Sequence, residues 1–242
     1  MTAVTSAVLL AAGRGARLGD LTRETPKPLL EIGGRPLLVR ILGALSAAGV
    51  VSAIVVTGYR ADDIEEALGR AALPIELRFV RQTELSGTGR ALQLARPLLG
   101  TGPFAFAWGD IAVAASNYAR LLAVSEGELA IAVNAVDDPA EGAAVYVDEA
   151  GLVRRIVEKP PPGTSMTGWN NAGFGVLDDR IWPAIEALQP SARGEYELPR
   201  AIAALVDQGV PVRAVAVEGP WFDIGTPVNL SAAREAADNG SI

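Results

Sequence analysis

Few architectures accommodate the alternation that fills the first 110 residues of this chain, where short unbroken apolar runs are separated by stretches of helical periodicity. Ala7 to Ala12 is continuously apolar and ends at Gly13, the pattern of a strand covered on both faces in a parallel sheet. Pro36 to Ala48 carries apolar residues at helical spacing and stops at Gly49, after which Val51 to Thr57 is again strand-like. A helix over Ala61 to Leu68, a strand over Ile75 to Val80 and a helix over Gly89 to Leu99 follow, then a strand over Phe104 to Trp108 that ends at Gly109-Asp110. Strands separated by helices of about ten residues require right-handed crossovers between parallel neighbours. The expectation is an α/β protein, a Rossmann-like αβα sandwich around a mostly parallel mixed sheet.

Beyond residue 125 the texture changes. Leu129 to Val136, Ala143 to Val147, Val153 to Val157 and Gly173 to Leu177 read as mixed or antiparallel strands that wall one side of a pocket. Helices from about Asp178 and about Tyr196 lead to a strand at Val212 to Val217 and a last helix from about Pro227. Lys159-Pro160-Pro161-Pro162-Gly163-Thr164 reads as a mobile loop within one domain. No linker, repeat or low-complexity tract divides the sequence, so residues 1–242 are expected to form a single domain.

Half of the residues are apolar and 20% are charged, which permits a large core. Lys and Arg number 21 against 28 Asp and Glu, and the resulting charge of −7 opposes broad binding to nucleic acid or anionic membrane. With no cysteine and no histidine, the chain has no disulfide, thiolate nucleophile, Ser-His triad or imidazole metal ligand. Catalysis falls to carboxylates, Lys, Arg, hydroxyls and backbone amides, a set suited to Mg²⁺-assisted phosphate chemistry. The first apolar run is too short for the core of a signal peptide and follows no basic residue, and no later run approaches a membrane span. A cytoplasmic protein is expected.

Against this acidic background, Arg14, Arg17, Arg23 and Lys27 fall within fourteen residues and, with Asp20 and Glu24, leave a local charge of +2. They sit in and after Leu10-Ala11-Ala12-Gly13-Arg14-Gly15-Ala16-Arg17-Leu18-Gly19, where glycines let backbone amides approach an anion. The third Gly comes one residue late for the dinucleotide fingerprint, and the Gly-Lys-Ser/Thr of a P-loop is lacking. On these residues alone a solvated basic loop is an alternative reading. Of the 21 cationic residues only Lys27 and Lys159 are lysine, and both precede proline. A compact ammonium with rotating donors differs from a guanidinium, which marks both positions.

The stretch from Leu9-Leu10-Ala11-Ala12-Gly13 through Arg17-Leu18 to Thr25-Pro26-Lys27-Pro28-Leu29-Leu30 resembles the signature of the sugar-1-phosphate nucleotidylyltransferases, the nucleotide-sugar pyrophosphorylases. Further matches run over nearly the whole chain: Gln82 with Gly87 and Thr88, Trp108-Gly109-Asp110, Gly142, Glu158-Lys159-Pro160, Asn171-Ala172-Gly173 and Asp223-Ile224-Gly225-Thr226-Pro227. The resemblance implies that Ala11, Gly13 and Gly15 contact a nucleoside triphosphate whose base is read by Gln82, Gly87 and Thr88. Arg17 would grip the leaving pyrophosphate and Lys27 the α-phosphate. Asp110 and Asp223 would hold Mg²⁺. Gly142, Glu158 and Asn171 would bind the sugar, with Lys159 on its 1-phosphate.

Blander readings stand beside these. Gln82 on spacing alone is an ordinary loop residue, Asp223 can be a helix N-terminal residue ahead of Pro227, and an Asn in a turn usually satisfies its own backbone. Trp169, Trp182 and Trp221 read as packing. Gly19-Asp20 and Thr164 to Trp169 depart from the family's pattern and leave the acceptor open.

The resemblance implies NTP + sugar 1-phosphate → NDP-sugar + pyrophosphate by one short domain without a C-terminal β-helix, with the two substrates as partners and with homo-oligomers possible. A cytidylyltransferase acting on phosphocholine or a phosphonate is an alternative, as is a non-catalytic nucleotide-sugar-binding regulator. A dehydrogenase is disfavoured by the late glycine.

Overall fold

A computed structural model of the chain describes residues 3–124 and 128–242. The elements begin with β1 (Ser6–Ala11), α1 (Leu21–Glu24), β2 (Glu31–Ile32), β3 (Arg35–Pro36), α2 (Leu37–Ala47), β4 (Ser52–Thr57), α3 (Ala61–Arg70), β5 (Glu76–Arg81) and α4 (Thr88–Ala95). Next come β6 (Phe104–Trp108), β7 (Ile111–Val113), α5 (Ser116–Val124), β8 (Leu129–Ala135), β9 (Ala143–Val147), β10 (Val153–Glu158) and β11 (Trp169–Leu177). They are followed by α6 (Ile181–Glu186), α7 (Leu198–Asp207), β12 (Val212–Ala216), β13 (Trp221–Asp223) and α8 (Pro227–Asp238).

β1 pairs in parallel with β4 on one side and β6 on the other, and β5 extends the sheet beyond β4. Successive side chains of a strand face opposite ways, so β1 divides the interior in two. Ala7, Leu9 and Ala11 join a core with α2, α3, α5 and α8, whereas Val8 and Leu10 join another with α4, α6 and α7. This is the expected αβα sandwich. β11 runs antiparallel to β6 through Phe174 to Leu177 and to β8 along its other edge, and it meets the β9–β10 pair where Asn170 bridges Ala144. β12 closes that side in parallel with β8. Among the described residues no helix is long and apolar enough to cross a membrane.

Several local expectations are corrected. The helix read over Gly89 to Leu99 is α4 plus a 3-10 turn at Arg96–Leu98, because Pro97 cannot donate to the helical ladder. The strand read from Gly173 begins at Trp169, so Asn171-Ala172-Gly173 is a bulge within β11 rather than a turn. The register against β8 shifts between Asn171 and Gly175, and Gly173 takes φ 86°. The loop after Lys159 is anchored at Gly163, whose N–H donates to Asp138 Oδ2 at 2.8 Å. β7 and β13 form a separate three-residue ribbon that sequence patterning did not reveal.

Candidate active site

The four parallel strands deliver their carboxyl ends to one edge of the sheet, where β1 runs into Gly13, β4 into Gly58, β5 into Gln82 and β6 into Asp110. Open α/β sheets bind ligands at this edge. A cavity of ≈ 790 Å³ opens there between the parallel half and β9–β11, within the size range of small-molecule sites.

One end is built around Lys27. A 3-10 turn, Lys27–Leu29, seats its stem in a buried position, and Nζ donates to Asp110 Oδ2 at 2.6 Å and to Asp223 Oδ1 at 3.3 Å. Burial alone would lower the lysine pKa, but the two aspartates outweigh it and hold it above its ordinary value. Burial, and then the charge of Asp110, raise Asp223 against the opposing pull of Lys27 and Arg17. The β7–β13 ribbon brings the carboxylates together by pairing Asp223 with Ile111, next to Asp110. The alternative reading of Asp223 as a helix N-terminal residue ahead of Pro227 gives way: Asp223 ends β13, and Thr226 caps α8, its Oγ1 accepting from Asn229 N–H at 3.2 Å. Arg17 Nη2 lies 3.8 Å from Asp223 Oδ2 and lines the cavity.

Among the described residues no three carboxylate, imidazole or thiolate side chains converge as a metal cage. The residues present fit a hard divalent cation nonetheless. Two carboxylates share one small space, burial and then like-charge repulsion raise one of them, and an ion held there would take its other ligands from phosphate and water.

At the second end Gln82 is buried and its Nε2 donates to Gly87 O at 3.2 Å. Gly87 has φ 103°, and a Cβ there would stand 2.7 Å from the Tyr196 backbone. Thr88 lines the cavity while its Oγ1 accepts from Leu198 N–H at 2.9 Å. Gly13 also lines the cavity, and nothing stands within 4 Å of where its Cβ would be. Ala11 and Gly15 are placed otherwise. The side chain of Ala11 faces the core by strand alternation and Ala12 lines the cavity instead, while Gly15, at φ 64°, packs against Lys27 and Thr22 and shapes the loop.

The third group lies across the cavity. A Cβ on Gly142 would fall 2.0 Å from Asn170 Oδ1, which accepts from Ala143 N–H at 3.0 Å, so only glycine fits. Exposed Lys159 stands at φ 45°, a strained conformation for a side-chain-bearing residue, and its N–H donates to Gly142 O at 2.7 Å. Asn171 Oδ1 accepts from Gly173 N–H at 2.9 Å, the self-satisfying bond expected of it, yet its buried Nδ2 has no partner among the described residues. An unpaired buried donor costs about 1–3 kcal/mol, which a ligand acceptor would offset. The Glu158 carboxyl is pushed up to about 7 by burial and then by Glu197, against Lys159 and Arg193.

Arg193, Glu195 and Glu197, missed by sequence reasoning, line the same wall. Arg193 Nη2 is 3.7 Å from Glu158 Oε1 and 3.3 Å from Glu195 Oε2, and it bonds Glu197. The available signal was three charged residues in five before a helix, which also describes any solvated loop. Trp221, read as packing, lines the cavity too, its Nε1 fixed on Ala172 O at 2.9 Å.

With this geometry in place the class is defined: the chain belongs to the nucleotidyl transferase family, whose model matches residues 6–240. The UTP–glucose-1-phosphate uridylyltransferase AglF of Haloferax volcanii is 30% identical over 241 residues, 95% of each chain. The bifunctional protein GlmU of Methanococcus aeolicus is 31% identical over 225 residues, 93% of this chain and 52% of that one. Against several longer curated relatives the chain spans between 52% and 64% of their length. Among solved structures, a UDP-glucose pyrophosphorylase complexed with UDP-glucose superposes with a TM-score of 0.88 at 20% identity, covering 98% of this chain and 99% of that one, which shows the shared fold.

Proposed function

We propose that this chain, acting as one catalytic domain, joins a nucleoside triphosphate to a sugar 1-phosphate and releases pyrophosphate, with Mg²⁺ as cofactor. The observation that carries the reading is one cavity lined at one end by Asp110 and Asp223, both bonded by the buried Lys27 beside it, and at the other by Glu158, Lys159 and an Asn171 donor without a partner among the described residues.

The base of the triphosphate lies at Gln82, Gly87 and Thr88, and its phosphates run along Gly13 toward Arg17 and Lys27. The sugar lies against Gly142, Glu158 and Asn171 with its phosphate on Lys159. A sugar phosphate oxygen attacks the α-phosphorus in line; the new O–Pα bond forms as the bond from Pα to the bridging oxygen breaks, and that oxygen leaves with the pyrophosphate. Lys27 neutralises charge growing on the α-phosphate and Arg17 that on the leaving group, the preorganised stabilisation on which phosphoryl chemistry depends. Asp110 and Asp223 would hold Mg²⁺, which supplies further neutralisation of phosphate oxygens when bound. A phosphate monoester is already a dianion near neutral pH, its second pKa being about 6. No general base is needed, in keeping with a chain that has no histidine.

The test is pyrophosphate release from purified protein with each ribonucleoside triphosphate and dTTP against a panel of sugar 1-phosphates, with Mg²⁺ and with EDTA. The name of the Haloferax relative makes UTP with glucose 1-phosphate the first pair. Metal-dependent release with a matched pair is expected. Release with phosphocholine or a phosphonate instead would reassign the acceptor, and tight nucleotide-sugar binding without any release would replace the enzyme with a regulator.

A further inference from the structure

Residues 191–199 connect the base end of the cavity to the sugar end. At the base end the Tyr196 backbone lies over the turn that starts α4: Tyr196 N–H donates to Ser86 O at 2.8 Å and its carbonyl accepts from Gly89 N–H at 2.7 Å. The approach leaves no space, since a Cβ on Gly87 would stand 2.7 Å from Tyr196 O and one on Gly89 2.9 Å from the same atom. The Arg90 guanidinium covers the Tyr196 ring 4.1 Å from its centroid. Thr88 Oγ1 then takes the Leu198 N–H, a first-turn amide of α7 that has no acceptor within its own helix. At the sugar end the same segment carries Arg193, bonded to buried Glu197 and 3.7 Å from Glu158. Glu197 directly precedes Leu198.

We propose that Thr88 is a positioning residue that, by holding Leu198, fixes Glu197 and through it Arg193 and Glu158, so that a hydroxyl on the base side of the cavity sets affinity for the sugar 1-phosphate. The proposal rests on the functional reading above. It also separates two roles for Thr88. A hydroxyl that touched the nucleotide alone would govern nucleotide affinity and nothing else, whereas here its oxygen is committed to the strap that carries the sugar-side charges.

Thr88→Val keeps the shape, removes the acceptor and leaves the Leu198 N–H unpaired; Thr88→Ser restores the acceptor. With UTP saturating and glucose 1-phosphate varied, or with the matched pair that the release assay selects, Thr88→Val is expected to raise the sugar-phosphate KM about five- to tenfold, the scale of one lost directional contact, and Thr88→Ser to restore the wild-type KM. In the free proteins, hydrogen exchange of the amides over 193–198 is expected to quicken about tenfold in Thr88→Val and to stay at the wild-type rate in Thr88→Ser. A rise confined to the UTP KM, or an unchanged sugar KM, overturns the proposal while turnover keeps the functional reading intact. A wild-type protein that turns over no pair overturns the functional reading instead. Exchange then decides the strap, and unchanged exchange in Thr88→Val overturns it.

Discussion

An ammonium can turn its donors toward carboxylates that lie at different angles, and Lys27 uses this freedom on Asp110 and Asp223. Lys27→Arg keeps the charge but not that geometry, and Lys27→Met removes both. Each is expected to lower kcat about 10²- to 10³-fold with near-UV circular dichroism unchanged; a variant that keeps a near-normal rate would show the lysine to be structural. Glu158 gives a second prediction. Its carboxyl ionises near 4.5 when exposed and is pushed up to about 7 in the fold. The folded state therefore holds the proton more tightly, and the associated stability, complete below about pH 4.5, is lost as pH rises through 7. Wild type and Glu158→Gln should melt alike at pH 5, and Glu158→Gln should melt higher at pH 8; an equal difference at both pH values would contradict the assignment. Lys27, Asp110, Glu158 and Asp223 were legible because each sits in a distinctive local string. Arg193 and Glu197 were not, because the burial of Glu197 and the approach of Arg193 to Glu158 depend on α7 packing against β10.

Most elements with a full period were read in kind, though not always in their bounds, and the three-residue strands without one were missed. β1, β4 and β6 are apolar runs flanked by glycine or helix signals, and their alternation sorts side chains into the two cores. β7 and β13 have three residues each, too few to show any periodicity, although this ribbon is what brings Asp223 beside Asp110. The β11 bulge was masked differently: Asn and Gly favour turns and bulges for the same conformational reasons, so propensity alone cannot separate them. At Gly173 the bulge combines φ 86° with a Cβ position 2.4 Å from the Trp108 ring. Gly173→Ala should destabilise the protein by about 2 kcal/mol or more, seen as a drop in Tm of several degrees. An unchanged Tm would show that β11 and Trp108 accommodate the added carbon without strain.

At the scale of the molecule, one cavity lies between the parallel half and the mixed β8–β11 region at the carboxyl ends of β1 and β6; in the proposed reaction the first side would take the nucleotide and the second the sugar. That division follows from the change of texture near residue 125, although the strap at 191–199 that spans it was visible only in three dimensions. The central claim is that the α-phosphorus of the nucleotide is the atom attacked, with two phosphates leaving together. A single turnover with triphosphate labelled at the α-phosphorus tests it directly. The account predicts that the label appears in a nucleotide sugar, with one unlabelled pyrophosphate per turnover and no transfer in EDTA. Label recovered in free nucleoside monophosphate, or label found in pyrophosphate, would contradict it.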